Sequence, residues 1–405
     1  MPTPFKARGR RESAVAGLTL SAIVLVGSIA LHDKLMGHPG LYSLSAISFL
    51  LAGAALLAEA LDVAPAVVEL VLGVLAAEAG VPSVEGVELL ALVGSVFIMY
   101  MAGLEIDPHL LRRNLLSSTI SGVVSFLAPM VVAALGVHHF LGYTWEQSLL
   151  AAIGTATTSV AVVYAIIRRG GLTRRPIGQI ILATAMVADV ASILAFVAVE
   201  AGISVVVGLY LVGIVAVIIL LARFFEWASG GLHEVELKLI LAFLTAAALI
   251  SEYVGVHAIL FAFLLGIATR DTVEKSRDLG TKLTALTFGV LAPIFFIDAG
   301  LHAKPEHPLL YAEIAALLLL LTFPAKVLFT HAALKALTGS RRVRLKLTSV
   351  FGARLTVSTV IAFTGEATGK LPHDLAGAII MSALIATIAA AAITRSPIPE
   401  EIPPS

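Results

Sequence analysis

Fourteen apolar runs follow one another almost without pause and decide what this chain can fold into. They are residues 13–31, 42–61, 64–80, 86–104, 114–137, 146–167, 177–199, 202–222, 236–253, 254–269, 281–301, 309–335, 345–364 and 374–394. A helix that crosses a bilayer needs roughly 20 mostly apolar residues, and these runs hold 288 of the 405 residues. Little chain is left for a separate soluble domain. The fold class is therefore an all-α polytopic membrane protein with about 14 transmembrane helices.

Composition agrees. Hydrophobic residues make up 59% and charged residues 13%, about half the usual charged share of a soluble domain. That excludes a water-soluble enzyme. With 27 basic and 27 acidic residues the formal net charge is zero, so no overall field recruits nucleic acid. There is no cysteine, hence no disulfide, thiolate metal site or cysteine nucleophile. No phosphate-binding loop, dinucleotide fingerprint or nucleophile elbow occurs, so an enzyme is not expected. No cofactor is expected beyond the transported ions.

Lysine and arginine stay on the cytoplasmic side of a membrane. With the N-terminus inside, 22 of them fall in cytoplasmic segments and only Lys34, Lys304 and Lys370 outside, while Lys326 and Arg354 lie within spans. Removing one span would reverse every later loop, so the bias supports an even count with both termini cytoplasmic. The basic stretch KARGRR before the first run resembles the start of a signal peptide, but no small-x-small cleavage site follows and a retained anchor is the better reading. The tail 395–405, SPIPEEIPPS after Arg395, is expected to be disordered.

Two prolines mark an internal repeat. Pro129 lies in SFLAPMVV and Pro324 in LLTFPAKV, and 30 residues beyond each stand Ser159 and Arg354, both in polar interruptions of apolar runs. Because 114–137 runs outward and 309–335 inward, the repeat is inverted, an arrangement of secondary transporters whose ion site lies where broken helices meet. The interruptions are GTATTSV (154–160) and GARLTVST (352–359). Clustered Gly, Thr and Ser weaken a helix, and freed backbone groups must line a cavity or another helix. Thr157, Thr158 and Ser159 either line such a site or pack against small neighbours.

Asp189 stands at the centre of ILATAMVADVASILAFVAV, where a carboxylate costs about 2.5–3.5 kcal/mol to insert. It could hold a proton in one half of a cycle and a monovalent cation in the other, with Ser192 one turn away as a further oxygen ligand. Lys326 is equally deep and either counters the ion site's charge or braces a broken helix through its carbonyls. Arg354 cannot deprotonate and is either a structural cross-brace or part of transport. Glu69 reads as a solvated vestibule residue. Glu252 and Asp298 lie near external ends, where snorkelling suffices. His257 reads as a packing residue, and His138 with His139 as a loop pair without metal partners.

Several segments, taken in order, resemble the monovalent cation/proton antiporter superfamily, in particular its bacterial Na+/H+ and K+-efflux branch. They are PAVVELVLGVL with Pro65, Glu69 and Gly73; MAGLEIDPHLLRRN with Gly103, Glu105 and Asp107; TATTSVAVV; the Asp189 segment; EYVGVHAILFAFLLGI; and APIFFIDAGLHA. The resemblance covers about 42–394. It implies two crossed, unwound helices in a core domain (about 114–199 and 309–394) that moves against a dimerisation scaffold (about 42–80 and 202–253). It also implies a homodimer, elevator-like alternating access and, in residues 1–41, one helix more than the usual thirteen.

By the same resemblance the essential aspartate is Asp189, the unwound-helix threonine and serine are Thr158 and Ser159, and the late basic residue is Lys326. Two departures stand out. Ala188 precedes Asp189 where electrogenic members have a second aspartate, and Arg354-Leu355-Thr356 replaces an Arg-Gly-Glu motif. The expected function is exchange of Na+ or Li+, possibly K+ as substrate, for protons in the plasma membrane, electroneutral and 1:1. The alternatives are an electrogenic antiporter in which Lys326 carries a second proton, and a sodium-coupled organic-anion transporter of related fold.

Overall fold

The computed structural model describes residues 4–35, 37–61, 63–106, 115–160, 163–164, 167, 172, 175–200, 220, 235–254, 258–303, 308–336, 345 and 347–394. Its helices are α1 (Pro4–Leu35), α2 (Pro39–Leu61), α3 (Pro65–Glu78), α4 (Glu85–Glu105), α5 (Leu115–Leu141), α6 (Trp145–Ala156), α7 (Pro176–Glu200), α8 (Val235–Val254), α9 (Ala258–Lys275), α10 (Arg277–Leu286), α11 (Ala292–His302), α12 (Pro308–Ala333), α13 (Leu355–Ala367) and α14 (His373–Thr394). Among the described residues nine helices are long and apolar enough to cross a membrane. The run 202–222, apart from Leu220, lies outside the described residues, as do His257 and the side chain of Glu252.

Two of the expected spans have a different internal form. The run 64–80 is the 14-residue α3, about 21 Å long at 1.5 Å per residue and shorter than the hydrocarbon core. Pro65 starts it, where a fixed φ and a missing N–H cost nothing. The run 281–301 is a helix with a π-turn at Thr287–Leu291 between α10 and α11, which neither hydropathy nor glycine spacing reveals.

The chain forms two compact units, one of Met1–Ile98 with Gly280–Glu306 and the other of Met99–Leu279 with His307–Ser405. In the first, α1 and α2 approach closely at Gly17 and Gly53, where an added Cβ on Gly53 would meet Ser21 Oγ at 2.5 Å. The first helix is therefore packed into this unit through small residues. α3 and α11 approach at Gly73 and Gly300, where a Cβ on Gly73 would sit 2.2 Å from the carbonyl oxygen of Ile297 and 2.9 Å from Cα of Gly300. Both obstacles are backbone, which cannot turn aside. Gly73→Val should therefore destabilise the protein by about 1–3 kcal/mol through overpacking, measured as a lower thermal midpoint in detergent; an unchanged midpoint would contradict this packing.

At the end assigned to the outside, Asp298 of α11 is fully buried. Its Oδ1 accepts from Ser83 Oγ at 2.8 Å, and Nδ1 of His302 lies 3.5 Å from Oδ2. The expectation of a snorkelling acid fails because the chain after α3 turns back and places a hydroxyl over the carboxylate. Glu69 is only 5% exposed, so in this unit it is a buried carboxylate rather than a solvated one.

The second unit packs α5, α6, α7, α12, α13 and α14 together. Thr330 Oγ1 donates to Ser125 Oγ at 2.8 Å, and Gly136 lies against Leu321. As one number rises the other falls, so α5 and α12, the two helices that carry Pro129 and Pro324, run antiparallel. That is what an inverted repeat requires.

The turns that follow α5 and α13 are fixed by local chemistry. Thr144 and Gln147 form a reciprocal capping box at the start of α6. After α13 the chain reverses at Gly369, whose φ of +71° suits glycine, and Lys370 N then donates to Gly365 O in the turn expected of a helix C-terminus. That turn delivers Lys370 to Glu146 Oε1 at 3.1 Å and to the carbonyl of Glu200. His138 and His139 belong to the last turns of α5 rather than to a loop, and His138 stacks on Trp145 at 4.0 Å.

Candidate functional site

The site grows from two helices that stop early. α6 ends at Ala156, and Thr157 turns to extended backbone with φ −61° and ψ 170°. On the other repeat a 3-10 turn at Val350–Gly352 gives way to extended Ala353, and α13 starts after Arg354. These are the two polar interruptions. The breaks bond to each other: Ser159 N donates to the carbonyl of Ala353 at 2.7 Å. The position 30 residues beyond Pro129 thus bonds to the residue just before the position 30 beyond Pro324.

A broken helix leaves its last carbonyls and first amides without partners, and side chains from the opposite repeat take up part of the deficit. Ser358 Oγ donates to the carbonyl of Gly154 at 2.6 Å and so accepts from Thr157 Oγ1 at 3.1 Å. Lys326 Nζ donates to the carbonyl of Ala156. Its ammonium stands at the C-terminus of α6, where the helix dipole favours a cation. Arg354 N donates to Thr387 Oγ1 at 3.1 Å.

Asp189 occupies the middle of α7 and is 2% exposed. Its Oδ1 has no hydrogen-bond partner among the described residues, and the same holds for Thr158 Oγ1 and Thr184 Oγ1. Ser192 Oγ donates to the backbone carbonyl of Asp189 at 2.7 Å, which commits its proton and leaves its lone pairs. Asp189 is within electrostatic reach of Lys326 and of Glu105, and Lys326 of Arg354. The Nε, Nη1 and Nη2 atoms of Arg354 are buried without a hydrogen-bond partner among the described residues, so no side-chain cross-brace is visible there.

Of the residues singled out from sequence, Thr157, Ser159, Lys326 and Arg354 come together at the breaks, and Asp189 lies within Lys326's electrostatic reach. Glu69 falls in the other unit. Ser358, Thr387 and Glu105 were given no role. Only Glu105 carried a signal, an acid two residues after a glycine at the end of an apolar run. Asp107 lies outside the described residues.

A family model described as sodium/hydrogen exchanger, transmembrane, matches residues 46–398. The chain is 28% identical over 326 residues to probable Na+/H+ antiporter 3 of Methanocaldococcus jannaschii, covering 75% of this chain and 82% of that protein. It is 24% identical over 326 residues to the Na+/H+ antiporter NhaS4 of Synechocystis, covering 74% and 79%. The solved structure of the sodium proton antiporter MjNhaP1 from Methanocaldococcus jannaschii superposes with a TM-score of 0.67 at 17% identity, covering 88% of this chain and 99% of that one.

Proposed function

Because this chain belongs to the transmembrane sodium/hydrogen exchanger family and is a multi-pass membrane cation/proton exchanger, we propose that Asp189 is the single carboxylate that takes either the proton or the cation. The observation that carries the proposal is the position of Asp189. It is buried at the centre of a spanning helix, with an oxygen unpartnered among the described residues, in the unit that also holds the two helix breaks. A lone acid in that position is expensive unless something occupies it in each half of a cycle. The hydroxyl of Thr158 and the lone pairs of Thr157, Ser159 and Ser192 are the oxygens available to a desolvated Na+ or Li+, or to K+. Lys326 and Arg354 are the supporting charges.

One carboxylate that cannot hold both ions enforces exchange. Ala188 denies α7 a second acid, so the exchange is electroneutral and 1:1. The working form is a homodimer in the plasma membrane with both termini cytoplasmic, its core moving in an elevator-like way with two crossed, unwound helices. The 22-to-3 charge bias supports that orientation, and the family resemblance supports the dimer and the motion.

Dissipation of a pH gradient by Na+, Li+ and K+ in proteoliposomes at clamped potential tests the stoichiometry. Each pH unit supplies about 1.4 kcal/mol, and one uncompensated charge about 2.3 kcal/mol per 100 mV. Rates that ignore a 100 mV clamp are expected. A strong response would instead favour the electrogenic reading in which Lys326, already beside Asp189 in charge terms, carries a second proton.

A further inference from the structure

Where the two broken helices meet, three neighbours in the α6 break are tied to the opposite repeat. The carbonyl of Ala156 accepts from Lys326 Nζ, Thr157 Oγ1 bonds to Ser358 Oγ at 3.1 Å, and Ser159 N donates to the carbonyl of Ala353 at 2.7 Å. Thr158 lies between these ties. It is 0% exposed, and its hydroxyl has no hydrogen-bond partner among the described residues. A buried hydroxyl left in that condition is costly, which points to a ligand that is present for part of a cycle.

Ser358, in the first turns of α13, sets how that hydroxyl is presented. In an unbroken helix the carbonyl of Gly154 would accept from the amide of Thr158, four residues on. Thr157 instead is extended, with φ −61° and ψ 170°, and Ser358 Oγ donates to Gly154 O at 2.6 Å. A side chain of the opposite repeat thus stands in for the amide of Thr158 and holds the helix broken. The one proton of Ser358 is spent on that carbonyl, so Thr157 is the donor in the second bond. Thr157 is thereby turned towards α13. On extended backbone neighbouring side chains point to opposite sides, so the same tie turns Thr158 away from α13.

Packing joins the break to the helix that carries Asp189. α6 packs directly on α7. A second route runs round the bundle through side chains. Thr330, one turn beyond Lys326 on α12, donates to Ser125 Oγ of α5 at 2.8 Å. Gly122, three residues before Ser125, lies against α7, where a Cβ would meet Val187 Cβ at 2.5 Å. Val187 is two residues from Asp189.

We propose that Ser358 is a positioning residue of the exchange site: by bonding Gly154 and Thr157 it keeps the α6 break unwound and presents the Thr158 hydroxyl to the transported monovalent cation. Ser358 does not touch the ion. Its loss lets the Thr158 amide return to Gly154 and swings the Thr158 hydroxyl out of place, so cation capture suffers more than turnover. This rests on the reading of Asp189 as the exchange site.

The test measures Na+-driven pH-gradient dissipation in proteoliposomes of full-length protein, over a range of Na+ concentrations at one alkaline pH. Ser358→Ala is expected to raise the apparent KM for Na+ about threefold to tenfold, the worth of one ordered hydroxyl, with the maximal rate retained. Thr158→Val should raise it by a similar factor. Because Ser358 acts through Thr158, the double variant should be no worse than Thr158→Val alone. An unchanged KM in Ser358→Ala, or factors that multiply in the double variant, overturns the proposal. Should Ser358→Ala not reconstitute, Ser358→Cys, close in size but a weaker donor, is read in detergent by the Na+ concentration needed for thermal stabilisation: a raised requirement supports the proposal and an unchanged one overturns it. Exchange surviving in Asp189→Asn would instead sink the parent reading, whereas a dead Asp189→Asn beside an unaltered Ser358→Ala sinks this inference alone.

Discussion

Asp189→Asn is expected to abolish exchange of every cation tested while leaving the protein at least as stable as wild type. The amide cannot release a proton on the cycle's return, and it replaces a charge-assisted ligand worth about 1.5–3 kcal/mol, roughly 10–150-fold in ion affinity. Stability should move the other way. A carboxylate at a spanning-helix centre costs about 2.5–3.5 kcal/mol to insert, and an amide of the same shape lessens that cost. The two readouts are proteoliposome flux and the thermal midpoint in detergent. Loss of flux with a lowered midpoint would mark Asp189 as structural cement rather than as the ion site.

Lys326→Met carries the second large effect, and here both readouts fall together. Lys326 is fully buried, and its Nζ donates to the carbonyl of Ala156, the last carbonyl of α6. Methionine fills the space but leaves that acceptor buried and unpaired, at about 1–3 kcal/mol. It also removes the cation from the dipole's negative end and from the field at Asp189. We expect a lower thermal midpoint and at least a tenfold drop in flux, with thermal unfolding and pH-gradient dissipation as the checks. A normal midpoint would show that the α6 break is held by Ser358 alone.

The contrast between these side chains and the rest of the site shows what a sequence carries. Asp189 and Lys326 were legible because a charge in a long apolar run has no cheap explanation. The helix breaks were legible because Thr, Ser and Gly cluster in both, 30 residues beyond a proline. That spacing read the two segments as equivalent parts of a repeat, and what the sequence left out is that the breaks bond to each other, Ser159 N to Ala353 O.

What was not legible depends on contacts between distant segments. Ser358 looks like any small polar residue in a helix until Gly154 and Thr157 are placed against it. Asp298 read as a snorkelling acid because hydropathy locates a residue along its helix and not around it; Ser83, from a turn far away in sequence, covers it. The π-turn at Thr287–Leu291 leaves the hydrophobic pattern of its run intact.

The shared carboxylate is tested most directly by measuring the apparent KM for Na+ in proteoliposomes across a series of symmetrical pH values. If proton and cation compete for Asp189, KM should rise about tenfold for each pH unit on the acid side, as mass action for one proton requires, while the maximal rate stays constant. A KM independent of pH, with the maximal rate titrating in its place, would put the proton on a separate group and contradict the account.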